Sequence, residues 1–369
     1  MITIRNSSKL CFVIGVLYLT INLCQRLTEP YHNYESEIAE TPKPKNEHSE
    51  LIDCYKVGRP VPQDGWRLPD VLKSERKPRP GKTIFFHETS CPVNGLLEIG
   101  KRQVCSIESA AKNNPNLDIF VLFTSPRYIS PDVLSTEIWR LKLTYKNIFL
   151  RNNDMWEYTK NSSAVDFMES GGLFDSKFLP VHMSDFLRLL SIWKYGGIYM
   201  DTDIIVKRTF ENLPLNYGGI EEHGVDLNNG LLSLAPNGNG HEIGDLFIKD
   251  FAKNFKPKSW ATNGPMLITR VLRKVCNATD LREIPTERCR GFKVYSREMF
   301  WAVSYIKANS FFNESELNNL MQQTRNSYSI HVFNHMTKGL KQKIGAKTLY
   351  GVMSEEHCPI TYSNADGFL

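Results

Sequence analysis

The middle of the chain alternates short, continuously apolar runs with segments whose apolar residues recur at helical spacing. Apolar runs at 83–88, 118–124 and 147–151 predict strands, and the segments 103–113 and 131–145 predict the helices between them. Runs that are apolar throughout are typical of strands covered on both faces, which favours a parallel sheet with right-handed crossovers. The pattern predicts an α/β domain with a mostly parallel sheet and flanking helices, whose ligands bind beyond the C-terminal strand ends.

Two carboxylates follow the next helix and strand. A helix predicted at 182–195 leads into a strand predicted at 198–206, which contains Asp201 and Asp203. In a single strand the two-residue side-chain period would place both acids on one face, roughly 6–7 Å apart along the chain. Such a pair can share one divalent ion, and hard oxygen ligands suit Mg²⁺ or Mn²⁺ together with the diphosphate of a nucleotide.

Other features of this stretch favour a ligand site, although a plainer explanation exists. A bare Asp-x-Asp occurs by chance in many long chains, where it is a polar turn that closes a strand. Against that explanation, Gly196 and Gly197 allow close backbone approach, and Tyr195 and Tyr199 offer stacking surfaces for a base or a sugar.

Asp185 and Arg188 lie three residues apart on the predicted helix, and therefore on the same side of it. One interpretation is a helical ion pair that contributes roughly a few tenths of a kcal/mol. The other is a pair of ligand contacts, in which Asp185 orients a sugar hydroxyl and Arg188 contacts the sugar or the diphosphate. The two residues alone leave both interpretations open.

The N-terminal segment carries a membrane signal. An almost uncharged apolar run begins at residue 10 and is preceded by Arg5 and Lys9. Positive charge on this flank favours an uncleaved signal anchor at 10–25 over a cleaved signal peptide. We therefore expect a cytosolic tail at 1–9 and a lumenal body.

Composition separates a stem from one globular domain. Residues 26–80 are polar and rich in Pro, Glu and Lys, which predicts a flexible stem before a catalytic domain at 81–369. The chain of 369 residues is 41% hydrophobic and 23% charged, which leaves room for one large α/β domain or two small ones. A net charge of +5 without long blocks of like charge argues against nucleic acid as a partner.

Cysteine usage agrees with an oxidising, lumenal compartment. We expect Cys276 to pair with Cys289, because the two enclose a short loop, and Cys91 with Cys105 is a second candidate pair. The cysteines beyond the predicted anchor are Cys54, Cys91, Cys105, Cys276, Cys289 and Cys358. Sequons for N-glycosylation begin at Asn161, Asn277 and Asn313.

Several motifs together resemble those of a known family. Ser184-Asp185-x-x-Arg188, followed by the segment from Trp193 to Asp203, resembles the sugar-binding D-x-D region of the α1,4-glycosyltransferase family. The similarity covers roughly residues 82 to 360. Further matching segments are 85–89, 105–111, 229–230, 263–270, 289–291 and 331–334.

The resemblance implies a GT-A fold, a UDP-sugar donor and Mn²⁺ (or Mg²⁺) as cofactor. Asp201 and Asp203 match the metal and ribose-diphosphate pair, and His331 could complete the metal shell. Asp185 and Arg188 match donor-sugar contacts, with Asp185 also a candidate for catalysis. The remaining matches would frame donor sugar and acceptor: Asn229, Gly230 and the segment Asn263-Gly264-Pro265.

The expected function is a retaining, type II Golgi membrane transferase. It would move galactose or N-acetylgalactosamine from a UDP-sugar, in α1,4 linkage, to a terminal galactose or N-acetylgalactosamine of a glycosphingolipid. An α1,4-N-acetylglucosaminyltransferase acting on O-glycans or other glycoproteins is the alternative, because segments 91–95 and 221–226 depart from the family pattern. An inactive lectin-like scaffold and a metal-free glycoside hydrolase are more distant alternatives.

Overall fold

A seven-stranded sheet lies at the centre of the computed structural model, which describes residues 45–61, 64–221 and 226–369. The strands are β1 (Trp66–Arg67), β2 (Thr83–Glu88), β3 (Asp118–Phe123), β4 (Tyr128–Ile129), β5 (Ile148–Asn152), β6 (Gly197–Met200), β7 (Ile204–Val206), β8 (Tyr217–Ile220), β9 (Leu227–Leu234), β10 (Lys293–Tyr295) and β11 (Ser329–His331). The α-helices are α1 (Lys45–Lys56), α2 (Lys101–Asn113), α3 (Glu137–Thr144), α4 (Met155–Thr159), α5 (Val165–Glu169), α6 (Leu179–Tyr195), α7 (Gly238–Asn254), α8 (Pro265–Cys276), α9 (Leu317–Gln323), α10 (Asn334–Thr337), α11 (Leu349–His357) and α12 (Pro359–Ser363).

The central sheet is mixed, with one strand reversed. Its order is β10-β8-β9-β6-β2-β3-β5. The pairs β6/β2, β2/β3, β3/β5 and β10/β8 are parallel, whereas β9 is antiparallel to both β6 and β8. The expectation of a mostly parallel sheet is therefore confirmed, and β9 is the exception that makes the sheet mixed. Because β9 is reversed, Asn229 and Gly230 near its start lie at the C-terminal end of β6, where Gly230 accepts a hydrogen bond from the Asp201 amide at 2.7 Å.

Helices cover both faces of this sheet, which is the physical reason for the continuously apolar strands. On β2, Phe85 packs in the cluster that contains Phe186 of α6. Its neighbours Ile84 and Phe86 point to the opposite face and pack in the cluster that contains Ile107 of α2. All three β2 side chains are fully buried.

The predicted βαβαβ order is confirmed, and its last helix is shorter than expected. Strands β2, β3 and β5 end within one residue of the predicted bounds, and helix α2 begins two residues early, at Lys101. The segment predicted as one helix at 131–145 is a 3₁₀ helix, Pro131–Ser135, followed by α3. Thr136 separates them because its backbone is extended, with φ −72° and ψ 156°.

The single strand expected at 198–206 is wrong. Strand β6 ends at Met200, residues 201–203 turn, and β7 leaves the central sheet to pair antiparallel with β11. The two acids therefore do not lie on one face of a strand. The turn instead brings β11, and with it His331, to the end of β6.

Part of the predicted stem is packed. Residues 49–369 form one compact unit, and Leu68 and Val71 are buried in it. The boundary that composition placed after residue 80 is therefore too late. The predicted tail and anchor lie outside the described residues; among the helices of the part that is described, none is long and apolar enough to span a membrane.

Among the residues that the structure describes, three disulfides join the six cysteines that follow the predicted anchor. Cys276–Cys289 is confirmed. The second candidate pair, Cys91 with Cys105, is wrong, because Cys91 pairs with Cys54 and Cys105 with Cys358. Cys105 lies on α2, whose neighbours include α11 and α12 at the end of the chain, and such a contact leaves no local signal in the sequence.

Candidate active site

The turn after β6 and the end of β11 together form an acidic and imidazole cluster. Asp201, Asp203 and His331 each offer a ligand atom, and these atoms lie within 4.8 Å of one another. Backbone pairing fixes this arrangement, since the Val332 amide donates to the Asp203 carbonyl at 3.0 Å and Ile204 is in register with His331. Residues that are 128 or more positions apart in sequence are thereby brought together.

Asp203 is the more enclosed of the two acids. His331 Nε2 lies 3.0 Å from its Oδ1, and the Asn334 amide donates to its Oδ2 at 2.7 Å. Burial alone would raise the pKa of Asp203, but His331 and the Asn334 amide lower it below its usual value. Burial would likewise lower the pKa of His331, yet Asp203 raises it. His331 and the Asn334 amide thus stabilise the charged form of the Asp203 carboxylate.

A second group of polar side chains lies next to this cluster. Arg188 Nη2 is 3.3 Å from Asp185 Oδ1 and also 3.3 Å from Asp201 Oδ1, and Asn229 Nδ2 donates to Asp185 Oδ1 at 2.7 Å. Burial would lower the pKa of Arg188, but Asp201 and Asp185 raise it, so the guanidinium stays charged. The pair is therefore more than a surface helical ion pair, because both side chains are about 95% buried and face the acids.

Asp185 keeps one oxygen without a partner. Its Oδ2 is buried and accepts no hydrogen bond from any described residue, and burial raises its pKa to about 6, although Arg188 opposes the rise. A buried acceptor of this kind is costly unless something donates to it. A ligand hydroxyl would satisfy it.

Tyr199 supports the site from beneath and is not an open stacking surface. Its ring is 1% exposed, with the Arg188 guanidinium 4.4 Å from the ring centroid on one side and His87 5.7 Å away. The hydroxyl donates to Asp201 Oδ1 at 2.5 Å and lies 3.0 Å from Ser184 Oγ. The structure therefore assigns Tyr199 to orienting Asp201 rather than to stacking on a base or a sugar.

Glycines shape the site in a different place from the one expected. A Cβ at Gly197 would lie 2.3 Å from the Thr83 carbonyl oxygen, and one at Gly196 would lie 2.4 Å from the Pro236 nitrogen, so these two glycines serve strand packing. At Gly230, in contrast, a Cβ would come within 2.8 Å of Asp201 Oδ2 and 3.2 Å of His331 Cε1. The absence of a side chain at Gly230 thus allows the β9 backbone to lie close to Asp201 and His331.

The donor set fits a hard divalent cation. Two carboxylates and an imidazole are ligands that Mn²⁺ accepts, and Mg²⁺ would rely on the carboxylates and waters. His331 Nδ1 is a buried side-chain atom with no hydrogen-bond partner among the described residues, and Asp203 Oδ1 faces His331 Nε2 at 3.0 Å. The backbone at Gly230 lies close to two of these side chains, since a Cβ there would come within 2.8 Å of Asp201 Oδ2 and 3.2 Å of His331 Cε1. Asp201, Asp203 and His331 are therefore the residues that would hold the ion.

Several residues of this region were not assigned a role from the sequence. Ser184 belongs to the motif Ser184-Asp185-x-x-Arg188, which gave it no role of its own, and its carbonyl and hydroxyl oxygens both accept hydrogen bonds from Arg188. Arg102 on α2 donates to the Thr337 carbonyl at 3.0 Å and so ties down the segment after Asn334. Arg102 and Thr337 are 235 residues apart in sequence. In the sequence, only the motif His331-x-x-Asn334 indicated that the segment around Thr337 belongs to the site.

Tyr199→Phe tests the supporting role of the phenol. The variant keeps the buried ring and removes the hydroxyl that orients Asp201, so we expect the dissociation constant of Mn²⁺ to rise by about 10- to 100-fold, as for other residues that orient a metal ligand. Titration calorimetry with Mn²⁺ measures this. Tyr217→Phe, another buried tyrosine, is the control; equal metal affinity in Tyr199→Phe and wild type would contradict the assignment.

Comparison with known proteins agrees with this geometry. Residues 100–219 match the model described as glycosyltransferase sugar-binding region containing DXD motif, which covers the turn with Asp201 and Asp203. Residues 236–365 match the alpha 1,4-glycosyltransferase conserved region, which covers His331. The class defined by site and fold is thus that of the sugar-binding, DXD-containing glycosyltransferases.

Individual relatives indicate to which family within that class the chain belongs. The rat lactosylceramide 4-alpha-galactosyltransferase is 30% identical over 327 residues, which cover 85% of each chain. The human protein of the same name is 30% identical over 77% of each chain, and human alpha-1,4-N-acetylglucosaminyltransferase is 27% identical over 70% of this chain and 74% of its own. The chain belongs to the α1,4-glycosyltransferase family.

Solved structures are more distant. The WbbM bifunctional glycosyltransferase matches with a TM-score of 0.43 and 12% identity over 80% of this chain and 51% of that chain. The PaToxG glycosyltransferase gives 0.36 and 16% over 78% and 86%. These similarities are too low to carry an argument about the site, which rests on its own geometry.

Proposed function

We propose that the chain is a metal-dependent, retaining hexosyltransferase of GT-A type that transfers galactose from UDP-galactose in α1,4 linkage. The observation that carries this proposal is the contiguous arrangement of two polar groups: the Asp201, Asp203 and His331 cluster, and the Arg188 and Asp185 pair beside it. The first group suits a cation and a diphosphate. The second offers a guanidinium and an unsatisfied carboxylate oxygen to a sugar.

Each side chain has a part in the transfer. A cation held by Asp201, Asp203 and His331 would neutralise the charge that develops on the departing diphosphate. Arg188, charged and fixed by Asp185, Asp201 and Ser184, adds a positive charge next to the same place. Asp185 Oδ2 accepts a hydrogen bond from a hydroxyl of the donor sugar, and this bond orients the sugar ring.

The reaction replaces one bond at the sugar's anomeric carbon with another. The bond to the β-phosphate oxygen of UDP breaks, and a bond to the acceptor hydroxyl oxygen forms on the same face. The acceptor proton passes to the leaving phosphate. No separate carboxylate nucleophile is required by this scheme, and retention of the α-configuration follows from attack on the face that UDP leaves.

The acceptor we propose is a glycosphingolipid with a terminal galactose or N-acetylgalactosamine. Support comes from the relatives whose names contain lactosylceramide and from the apolar run at 10–25 with its basic N-terminal flank. An anchor there would place the domain in the Golgi lumen and concentrate enzyme and lipid acceptor in the same membrane.

A second candidate is transfer of N-acetylglucosamine to O-glycans or other glycoproteins. It is favoured by the similarity to the human alpha-1,4-N-acetylglucosaminyltransferase. Both candidate activities use the same metal-binding residues, so they differ only in the groups that contact the sugar. A lectin-like scaffold is less well supported, because the two acids and His331 are all present and adjacent.

A donor and acceptor screen tests the proposal. The purified full chain is incubated with Mn²⁺ and either UDP-galactose, UDP-N-acetylgalactosamine or UDP-N-acetylglucosamine, with lactosylceramide in vesicles or an O-glycan as acceptor. We expect UDP release above background with UDP-galactose and lactosylceramide only. Transfer of N-acetylglucosamine to the O-glycan would favour the second candidate, and no transfer in any combination would refute both.

A further inference from the structure

An aromatic contact joins the two flanks of the candidate active site. Trp260, in the loop before α8, and His335, in α10, have ring centroids 5.7 Å apart with the planes tilted by 38°. Their positions in sequence are 75 residues apart, and neither belongs to the core of the central sheet. The contact is therefore made between the loop before α8 and the short helix α10, both of which border the site.

The Trp260 flank lies against the sugar-facing pair. Four residues after Trp260, the backbone at Gly264 passes so close that a Cβ there would lie 2.8 Å from Asp185 Oδ1 and 2.4 Å from Asn229 Nδ2. The loop that holds Trp260 thus packs directly on the residues proposed to contact the donor sugar.

The His335 flank lies against the metal-facing acid. His335 directly follows Asn334, whose amide donates to Asp203 Oδ2 at 2.7 Å. The contact between the two rings therefore bridges the side of the site marked by Asp185 and the side marked by Asp203. An acceptor must approach the transferred sugar along the border of this same site.

The loop that carries Trp260 is held firmly. Asn263 accepts from the Lys256 amide and donates to the Lys256 carbonyl, both at 2.8 Å, and Phe178 packs edge-on against Trp260 at 5.3 Å. His182 Nε2 lies 2.9 Å from the Ser259 carbonyl oxygen. A surface fixed in this way can bind a ligand without an ordering cost.

We propose that Trp260 and His335 form a platform on which the terminal neutral hexose of the acceptor stacks. This inference rests on the proposed function and names the acceptor subsite. One face of a hexose such as galactose carries several C–H groups, and such a face packs well on an aromatic ring. The exposed side chains of Met266 and Met336, at 47% and 46%, extend the apolar border on each flank.

Trp260→Ala tests the platform in the full chain. We expect the KM for the galactose-terminated acceptor to rise by about tenfold or more, the loss expected when an aromatic contact surface is removed, while the KM for the UDP-sugar keeps its wild-type value. His335→Ala should raise the same acceptor KM. Trp66→Ala is the matched control, because Trp66 is 47% exposed and lies on β1, outside the site.

A purely structural role for Trp260 predicts a different result. Loss of packing against Phe178 would lower the unfolding midpoint and change both KM values or kcat together. Trp260→Phe keeps an aromatic ring and should restore most of the acceptor affinity. If Trp260→Ala does not fold, His335→Ala and Trp260→Phe still decide the matter through the acceptor KM.

The outcomes separate this inference from the proposed function. Normal transfer by wild type, together with an unchanged acceptor KM in Trp260→Ala and His335→Ala, would overturn the platform and leave the transferase proposal intact. Absence of transfer by wild type with every donor and acceptor would overturn the proposed function itself.

Discussion

Asp203→Asn is expected to lower kcat/KM for sugar transfer by on the order of 10³-fold or more, while the protein still folds. Asparagine has nearly the same shape and can still accept the Asn334 amide bond that Asp203 Oδ2 accepts at 2.7 Å. It cannot supply the negative charge that a divalent ion needs. The substitution also removes the negative charge by which Asp203 raises the pKa of His331.

Activity and folding are measured on the same preparation. UDP release in Mn²⁺ gives the activity, and we expect the unfolding midpoint to move by no more than about 4 °C, equivalent to roughly 3 kcal/mol in a chain of this size. Asp245→Asn on α7 is the control, because its carboxylate pairs with Lys249 away from the site. Near-normal activity in Asp203→Asn, or in wild type with excess EDTA, would rule out the metal assignment.

The parts of the fold that the sequence predicted are those specified by local pattern. Strands β2, β3 and β5 are apolar throughout because helices cover both sheet faces, and such runs are easily recognised. The short Asp-x-Asp motif predicts the two acids, although they do not lie on a single strand. A turn after Met200, not the two-residue strand period, brings Asp201 and Asp203 together.

Contacts between distant segments were the part that pattern could not supply. Nothing near β9 indicates that it runs antiparallel, yet that reversal places Gly230 beside Asp201. Tyr199 is not the exposed stacking surface that the sequence suggests, because its burial by Arg188 depends on helix packing rather than on sequence spacing. His331 was proposed only through family resemblance, since its partner Asp203 is 128 residues away.

Breaking the Cys105–Cys358 disulfide should destabilise the fold more than breaking Cys276–Cys289. The first bond joins residues 253 positions apart and the second joins residues 13 apart. In the chain-entropy treatment, closing these loops contributes about 5 and about 3 kcal/mol, respectively, by restricting the unfolded chain. Cys105 and Cys358 are also fully buried, on α2 and at the end of α11.

Alanine variants separate the loop effect from packing. Cys105→Ala and Cys358→Ala should lower the free energy of unfolding equally in urea titrations, and the double variant should lower it little further, because either single change already opens the bond. The same scheme applied to Cys276 and Cys289 gives the matched comparison, with the smaller loss. Equal losses for the two disulfides would show that loop length does not control their contribution, and additive losses within a pair would show that its members are not bonded.

Opening the Cys105–Cys358 bond should also weaken Mn²⁺ binding. The reason is that α2, which carries Cys105, also carries Ser106, whose hydroxyl donates a hydrogen bond to the Ile204 carbonyl on β7. Opening the Cys276–Cys289 bond should leave Mn²⁺ binding unchanged.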